Sequence, residues 1–135
     1  MLQWEPSMET KVSEIDRQHK DLVKRVNDLI EAMRAGKGRQ LVGDVLVFLG
    51  KYAVQHFGTE EALMQKHRYP NYEAHKGIHE AFKKDFGKLA QEFQEGSQNL
   101  SLTIAVQQRV LDWLKRHILE TDQELGRFLK TCGVN

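Results

Sequence analysis

The chain has 135 residues, of which 29% are charged and 40% hydrophobic, and its net charge is +1 with histidine neutral. This length suits one domain with its own core. The nearly neutral charge gives no broad electrostatic basis for binding nucleic acid or an anionic membrane. The lone Cys132 excludes an internal disulfide and fits a reducing compartment. The N-terminal residues do not read as a secretory signal, and the longest apolar run, Val45 to Leu49, is too short to span a membrane. We therefore expect a single cytoplasmic domain over residues 1–135.

Three clusters of helix-breaking residues, at 35–38, 68–71 and 95–99, divide the chain into four long segments of helix-forming residues. The first segment begins at Ser13, a candidate N-cap, with Asp16 in its first turn. In every segment the apolar residues and histidines recur at steps of three or four, the period of one helix face. Short connections make consecutive helices antiparallel neighbours. The pattern predicts an all-α, up-down-up-down antiparallel four-helix bundle over 13–135, preceded by an extended N-terminal arm over 1–12.

The inward face of the fourth segment is irregular after His117. The next inward candidate is Asp122, and five residues of ideal α-helix would leave the two side chains about 140° apart. One solution is a π-type bulge that widens the turn. The other is a break, which Thr121 and Glu124 favour because they match a capping box. We expect the break, followed by a short C-terminal helix.

Seven polar residues occupy inward positions where burial is costly unless they are paired. At a rise of about 1.5 Å per residue, counting from the turns places all seven in one layer, toward the end of the bundle that carries the second turn. A single buried histidine is usually an ordinary core residue, but seven such groups at one level indicate a metal site. The candidate ligands are His19, His56, Glu60, His75, His79, His117 and Asp122. His67 lies about 16 Å along the axis from His56, so we expect it to be structural or solvent-facing.

The number of candidate ligands exceeds what one zinc ion usually takes, so two metal ions are implied. Suppose that both ions are octahedral and that both carboxylates bridge them. Five imidazoles, two carboxylates and one bridging solvent oxygen then leave one coordination position open. Imidazole-rich sites suit iron, zinc, copper or nickel. Iron is favoured because a mixed nitrogen and oxygen shell with one vacancy suits a redox metal that binds a diatomic ligand.

Four stretches of the chain carry a resemblance to a known family. They are "DRQH" (16–19), "HFGTEEALM" (56–64), "YPNYEAHKGIH" (69–79) and "WLKRHILETD" (113–122). In this order and spacing they closely resemble the hemerythrins of the bacterial single-domain type. Any one HxxxH pair would be weak evidence, whereas the combination is highly specific.

The resemblance implies an oxo- or hydroxo-bridged pair of non-haem iron ions that binds O2 reversibly. One iron would be held by His75, His79 and His117. The other, which keeps the open position, would be held by His19 and His56. Glu60 and Asp122 would bridge the two. Four apolar residues match the family's O2 pocket: Leu22, Phe57, Trp113 and Ile118. Each of them is equally well read as ordinary core packing.

Three functions follow from such a site. The first is O2 binding for transport, storage or delivery to an O2-consuming enzyme, and it is the function that we expect. The second is a sensor of O2, NO or redox state that acts through a separate partner, and the third is a di-iron redox enzyme. Five neutral imidazoles provide less anionic donation than the carboxylate-rich di-iron oxygenases have, which favours binding over O–O cleavage. We therefore expect a binding protein rather than an enzyme, and infer no macromolecular partner from the surface.

Overall fold

The computed structural model describes residues 2–36, 39–96 and 100–135, and the predicted breaks at 35–38 and 95–99 fall partly outside these ranges. All regular structure in the described ranges is helical. A short 3-10 turn at Pro6–Met8 precedes α1 (Ser13–Arg34), α2 (Arg39–Lys66) and α3 (Tyr72–Gln94). A fourth helical rod, residues 100–131, follows. The rod consists of α4 (Leu100–Val106), a π-helical segment Gln107–Asp112, α5 (Trp113–Arg116), a second π-helical segment His117–Thr121 and α6 (Asp122–Thr131).

The four rods form the predicted four-helix bundle. α1 packs on α2, α2 on α3, and the fourth rod on both α1 and α3. The core consists of two apolar clusters. The larger surrounds Leu29, Leu49 and Phe57, and the smaller contains Ile15, Met64 and its neighbours at the opposite end. The predicted polar layer lies between them, because every rod carries its inward polar residues between these two sets of apolar residues.

The start of α1 differs from the prediction. Ser13 is the first helical residue rather than the cap, and Val12 holds the N-cap position without a side-chain cap hydrogen bond. Asp16 acts on the preceding chain instead. Its carboxylate accepts hydrogen bonds from the backbone N–H and hydroxyl of Thr10, both 2.8 Å, and from the N–H of Lys11 at 3.2 Å. These contacts hold Lys11 at a φ of 69°, in the left-handed region.

The predicted break after His117 is wrong. Thr121 has helical backbone angles and makes no side-chain cap hydrogen bond, so α6 continues the fourth rod rather than forming a separate short helix. The backbone N–H of Asp122 donates to the carbonyl of His117, five residues earlier, which is the π-helical pattern. This wider turn brings His117 and Asp122 onto one face. The earlier π-helical segment, Gln107–Asp112, was not predicted from the sequence.

The N-terminal arm packs along the bundle. The side chain of Asn27 exchanges two hydrogen bonds with the backbone of Leu2, at 3.2 and 2.8 Å. Met8 is fully buried in the larger apolar cluster. Its carbonyl accepts a hydrogen bond of 3.1 Å from the side-chain amide of Gln123, which also donates to the carbonyl of Ile118. Within the described residues, none of the helices is both long enough and apolar enough to cross a membrane.

Candidate metal centre

All four rods contribute to one buried polar layer. α1 supplies His19, α2 supplies His56 and Glu60, α3 supplies His75 and His79, and the fourth rod supplies His117 and Asp122. Each of these residues exposes at most 4% of its surface. The structure therefore brings together all seven candidate ligands that the sequence indicated. His67 lies apart from them, half buried just beyond the end of α2.

The seven side chains form two overlapping groups of potential metal ligands. Within each group the ligand atoms lie within 4.8 Å of one another. The larger group is Glu60, His75, His79, His117 and Asp122, and the smaller is His19, His56, Glu60 and Asp122. Both carboxylates belong to both groups. The larger group therefore has three imidazoles and the smaller has two.

Each carboxylate directs one oxygen toward each group. Oε2 of Glu60 lies 3.2 Å from Nε2 of His19 and 3.0 Å from Nε2 of His56. Oε1 of the same carboxylate lies 3.3 Å from Nε2 of His75 and 3.1 Å from Nε2 of His79. Glu60 thus presents one oxygen to the two-histidine group and the other to the three-histidine group.

Asp122 is arranged in the same way. Its Oδ2 lies 2.9 Å from Nε2 of His19, whereas its Oδ1 lies 3.2 Å from Nε2 of both His75 and His117. A carboxylate that offers one oxygen to each of two sites has the geometry required of a bridging ligand. The bridging role expected for the two carboxylates stays a prediction, and both of them belong to both groups of candidate ligands.

The donor set fits metal ions better than it fits hydrogen bonds. Two ligand atoms at about 2.1 Å from one metal, at right angles, are separated by about 3 Å, which is the spacing seen here. Several of these close atoms also lack a hydrogen-bond partner within the described residues. They include Nε2 of His56 and His75, Oε1 of Glu60 and both carboxylate oxygens of Asp122. Buried polar atoms without partners are costly, and bound metal ions would satisfy them.

Without metal, protons take the place of the cations. Burial by itself would lower the pKa of His19, but the adjacent carboxylates of Asp122 and Glu60 outweigh burial and raise it to about 9. The same balance raises the pKa of His75 to about 9 and that of His117 to about 10. Burial would raise the pKa of Asp122, yet the neighbouring histidines hold it well below its usual value. Metal binding therefore requires protons to leave this cluster.

Two further residues contact the outer nitrogens of the candidate ligands. The side-chain oxygen of Gln18 lies 2.7 Å from Nδ1 of His56, and a carboxylate oxygen of Glu61 lies 2.9 Å from Nδ1 of His79. Such partners fix the ring orientation and leave Nε2 free for a metal. Neither residue was predicted from the sequence. Their only sequence signal is position, since Gln18 directly precedes His19 and Glu61 directly follows Glu60.

Aromatic rings pack against the histidines on the side of the larger apolar cluster. Phe57 stacks on His79 with ring centroids 4.0 Å apart. Trp113 stacks on His117 at 4.5 Å, and its other neighbour, Phe82, stacks on it at 4.1 Å. These contacts restrict the imidazole planes and place apolar surface directly beside the polar layer.

A small apolar cavity adjoins these rings. Its volume is about 10 Å³, close to that of a single water-sized sphere. Its lining residues are all apolar: Leu22, Val26, Leu49, Ala53, Phe57, Phe82, Phe86, Val110, Trp113 and Leu114. Three of the four predicted pocket residues therefore line one cavity. Ile118 is fully buried but does not line it, and Leu114 lines it without having been predicted.

A helical bundle with two overlapping groups of buried histidines and carboxylates defines a class of metal-binding proteins, and comparisons with known proteins specify the family. A sequence profile described as "Hemerythrin HHE cation binding domain" matches residues 10–129. The bacteriohemerythrin of Methylococcus capsulatus is 33% identical over 117 residues, which cover 87% of each chain. Myohemerythrin-1 of Phascolopsis gouldii is 30% identical over 120 residues, covering 88% of this chain and 87% of the relative.

Solved structures agree with the sequence comparisons. The crystal structure of a wild-type hemerythrin superposes with a TM-score of 0.84 at 32% identity and covers 96% of this chain and 98% of that one. The chain therefore belongs to the hemerythrin family. This membership confirms the resemblance that the four sequence stretches carried.

Proposed function

We propose that this protein binds O2 reversibly at a non-haem di-iron centre. The observation that carries the proposal is the arrangement of Glu60 and Asp122, each of which presents one oxygen to a group with three imidazoles and the other to a group with two. Two metal ions held in this way share both carboxylates and differ in coordination by one imidazole. The position with fewer protein ligands is where a small molecule binds.

The proposed ligand assignment follows the two groups. His75, His79 and His117 would hold one iron, His19 and His56 would hold the other, and the carboxylates of Glu60 and Asp122 would be shared by both. Mixed imidazole and carboxylate donors suit iron, although the donor types alone also admit zinc or copper. When bound, ferrous iron supplies the electrons that reversible O2 binding requires. The protein's contribution is to hold the ligand atoms in place and to control what reaches the open position.

Apolar side chains provide that control. Leu22, Phe57 and Trp113 line the cavity beside the histidines, and we propose that they form the O2 pocket together with Leu114. Ile118 contributes by packing rather than by lining the cavity. An apolar, enclosed environment admits a neutral diatomic molecule and excludes water, which protects a reactive bound ligand.

The same lining favours binding over catalysis. The indole N–H of Trp113 is the sole polar group on the side chains that line the cavity, and no polar atom of the lining is exposed to it, so none is placed to orient an organic substrate or deliver a proton. We therefore propose a binding protein, which serves to carry O2, to store it or to deliver it to an O2-consuming enzyme. This lining gives no comparable support for a di-iron redox enzyme.

The stoichiometry of O2 uptake tests this function. The metal-free protein is loaded anaerobically with ferrous iron, and bound iron and O2 consumed are measured on the same sample. We expect two irons and one O2 per chain. A zinc-loaded sample is the control and should take up no O2. One iron per chain, or continuous O2 consumption by the loaded protein, would contradict the proposal.

A further inference from the structure

The two groups of candidate ligands differ in the charge of the residue that contacts the outer nitrogen, Nδ1, of one of their histidines. Only His56 and His79 have an outer nitrogen that contacts a side-chain acceptor, whereas Nδ1 of His19, His75 and His117 has no hydrogen-bond partner within the described residues. The acceptor behind His56 is the neutral amide of Gln18. The acceptor behind His79 is the carboxylate of Glu61. One group therefore carries a neutral partner and the other a charged one.

The orientation of the Gln18 amide is fixed by its surroundings. Gln18 is 4% exposed. Its side-chain N–H donates to the hydroxyl oxygen of Thr59 at 3.2 Å, and that hydroxyl donates to the carbonyl of Gln55 at 3.2 Å. The amide oxygen must then face His56, whose Nδ1 donates to it at 2.7 Å. This chain of hydrogen bonds sets the tautomer of His56 and leaves its Nε2 available to a metal.

Glu61 acts on His79 from the edge of the core. Its side chain retains 16% exposure, and its Oε2 accepts a hydrogen bond of 2.9 Å from Nδ1 of His79. A carboxylate that accepts a hydrogen bond from Nδ1 makes the imidazole a more strongly donating metal ligand than an amide does. More electron donation stabilises the higher oxidation state of the metal bound at Nε2.

We propose that Gln18 and Glu61 are positioning residues that make the two metal positions electronically unequal. This inference rests on the proposed function. The carboxylate of Glu61 favours the ferric state at the position held by three imidazoles, and the amide of Gln18 leaves the open position with weaker donation. Iron at the open position would then have the higher midpoint potential, and iron at the filled position would give up its electron more readily.

Three nearly isosteric variants test this asymmetry. They are Glu61→Gln, Gln18→Glu and the double variant that exchanges the two side chains. Each is loaded with iron, and its midpoint potential is measured by titration with dithionite, which supplies one electron to each ferric ion. We expect the midpoint potential to rise in Glu61→Gln and to fall in Gln18→Glu. The rate at which the O2 complex decays irreversibly, taking up protons and releasing hydrogen peroxide to leave both irons ferric, should fall in the first and rise in the second.

The double variant distinguishes the effect of where the carboxylate lies from the effect of the total charge of the site. It has the same net charge as the native chain, so its midpoint potential should lie near the native value. Its carboxylate, however, contacts the histidine of the open position, and its O2 complex should release hydrogen peroxide and decay to the ferric form faster than the native one. Equal potentials and equal decay rates in all four iron-loaded proteins would overturn the inference.

A redox-inert metal keeps this test distinct from the test of the proposed function. In zinc-loaded protein, Glu61→Gln should weaken the binding of one zinc by about 10–100-fold and leave the other unchanged, the usual effect of losing a ligand's outer partner. Failure of the native chain to bind iron would defeat the proposed function but not this measurement. Unchanged affinity for both zinc ions would defeat the inference. Should Gln18→Glu fail to fold, the partly exposed Glu61→Gln still decides the outcome.

Discussion

The indole of Trp113 lies nearly parallel to the imidazole of His117, with an interplanar angle of 11° and ring centroids 4.5 Å apart. Phe82 also stacks on this indole, with ring centroids 4.1 Å apart. Trp113 therefore contacts both parts of the site. It lines the apolar cavity and stacks on His117, a candidate ligand in the polar layer.

Replacing Trp113 with leucine should affect stability and ligand lifetime together. Loss of two stacked aromatic pairs is expected to lower the free energy of unfolding of the metal-free protein by about 1–3 kcal/mol. The O2 complex should also decay faster, because the cavity becomes more accessible to water. Denaturant unfolding and the decay of the visible bands measure the two effects. Trp113→Phe retains a ring over His117, so its stability and its O2 lifetime should lie between those of the native chain and Trp113→Leu. A native O2 lifetime in Trp113→Leu would show that Trp113 does not form part of the O2 pocket.

His75 provides a direct test of the ligand assignment. His75→Ala should lose one or both irons, while the metal-free bundle keeps its helices, since the two apolar clusters on either side of the layer are untouched. Iron analysis and circular dichroism give the two answers. His67→Ala is the matched control and should keep full iron. Full iron with an unchanged spectrum in His75→Ala would count against the assignment.

Metal loading should remove the pH dependence of stability that the metal-free protein shows. In the metal-free protein, His19, His75 and His117 have pKa values of about 9 to 10 in place of the usual 6.5. Groups with raised pKa stabilise the fold fully below pH 6.5 and lose that contribution as the pH rises through the folded pKa. The melting temperature of the metal-free protein should therefore fall between about pH 6.5 and 10.

Metal binding offsets this trend, because protons leave the same histidines when a metal enters. The stabilisation that zinc or iron confers should grow over the same pH range, and protons should be released on loading. Melting curves with and without metal, together with proton release in weakly buffered solution, measure both effects. A melting temperature of the metal-free protein that rises from pH 6.5 to 10 would contradict the account of the protonated cluster.

The contact between Gly126 and Thr10 leaves no room for a side chain. A Cβ on Gly126 would lie 2.9 Å from both Cβ and the carbonyl oxygen of Thr10. Gly126→Ala should therefore push the N-terminal arm off α6 and destabilise the protein by about 1–3 kcal/mol. Gly87→Ala is the control, since nothing lies within 4 Å of a Cβ there, and it should stabilise α3 by about 0.5–1 kcal/mol. Thermal unfolding compares the two, and equal stabilities would show that the arm does not pack as described.

The sequence predicted the bundle and the polar layer because both follow from helical periodicity. His19, His56 and His79 recur in phase with apolar residues on helices of known rise, so their common level can be counted. The π-helical turn at His117 could not be decided in that way. Thr121 and Glu124 imitate a capping box, but Glu124 instead accepts a hydrogen bond from Asn71 across the bundle. This long-range contact competes with the local signal and is invisible to it.

The residues that contact the outer histidine nitrogens, and those that line the cavity, also depend on how the helices pack against one another. Gln18 reaches His56 from a different helix, and Glu61 reaches His79 likewise. The spacing of residues along one helix does not show which residue beside a ligand contacts a histidine of the adjacent helix. Ile118 illustrates the converse, because its burial follows from its place on the helix while its absence from the cavity lining depends on packing alone.

Reversible O2 binding is tested most directly by following one iron-loaded sample through an oxygenation cycle. Its visible absorption is recorded reduced under argon, after addition of O2, and after purging with argon. Charge-transfer bands should appear with O2 and disappear on purging, and the same sample should complete several cycles with two irons per chain. Bands that persist after purging, or immediate irreversible oxidation, would contradict reversible O2 binding and indicate a redox or sensing role.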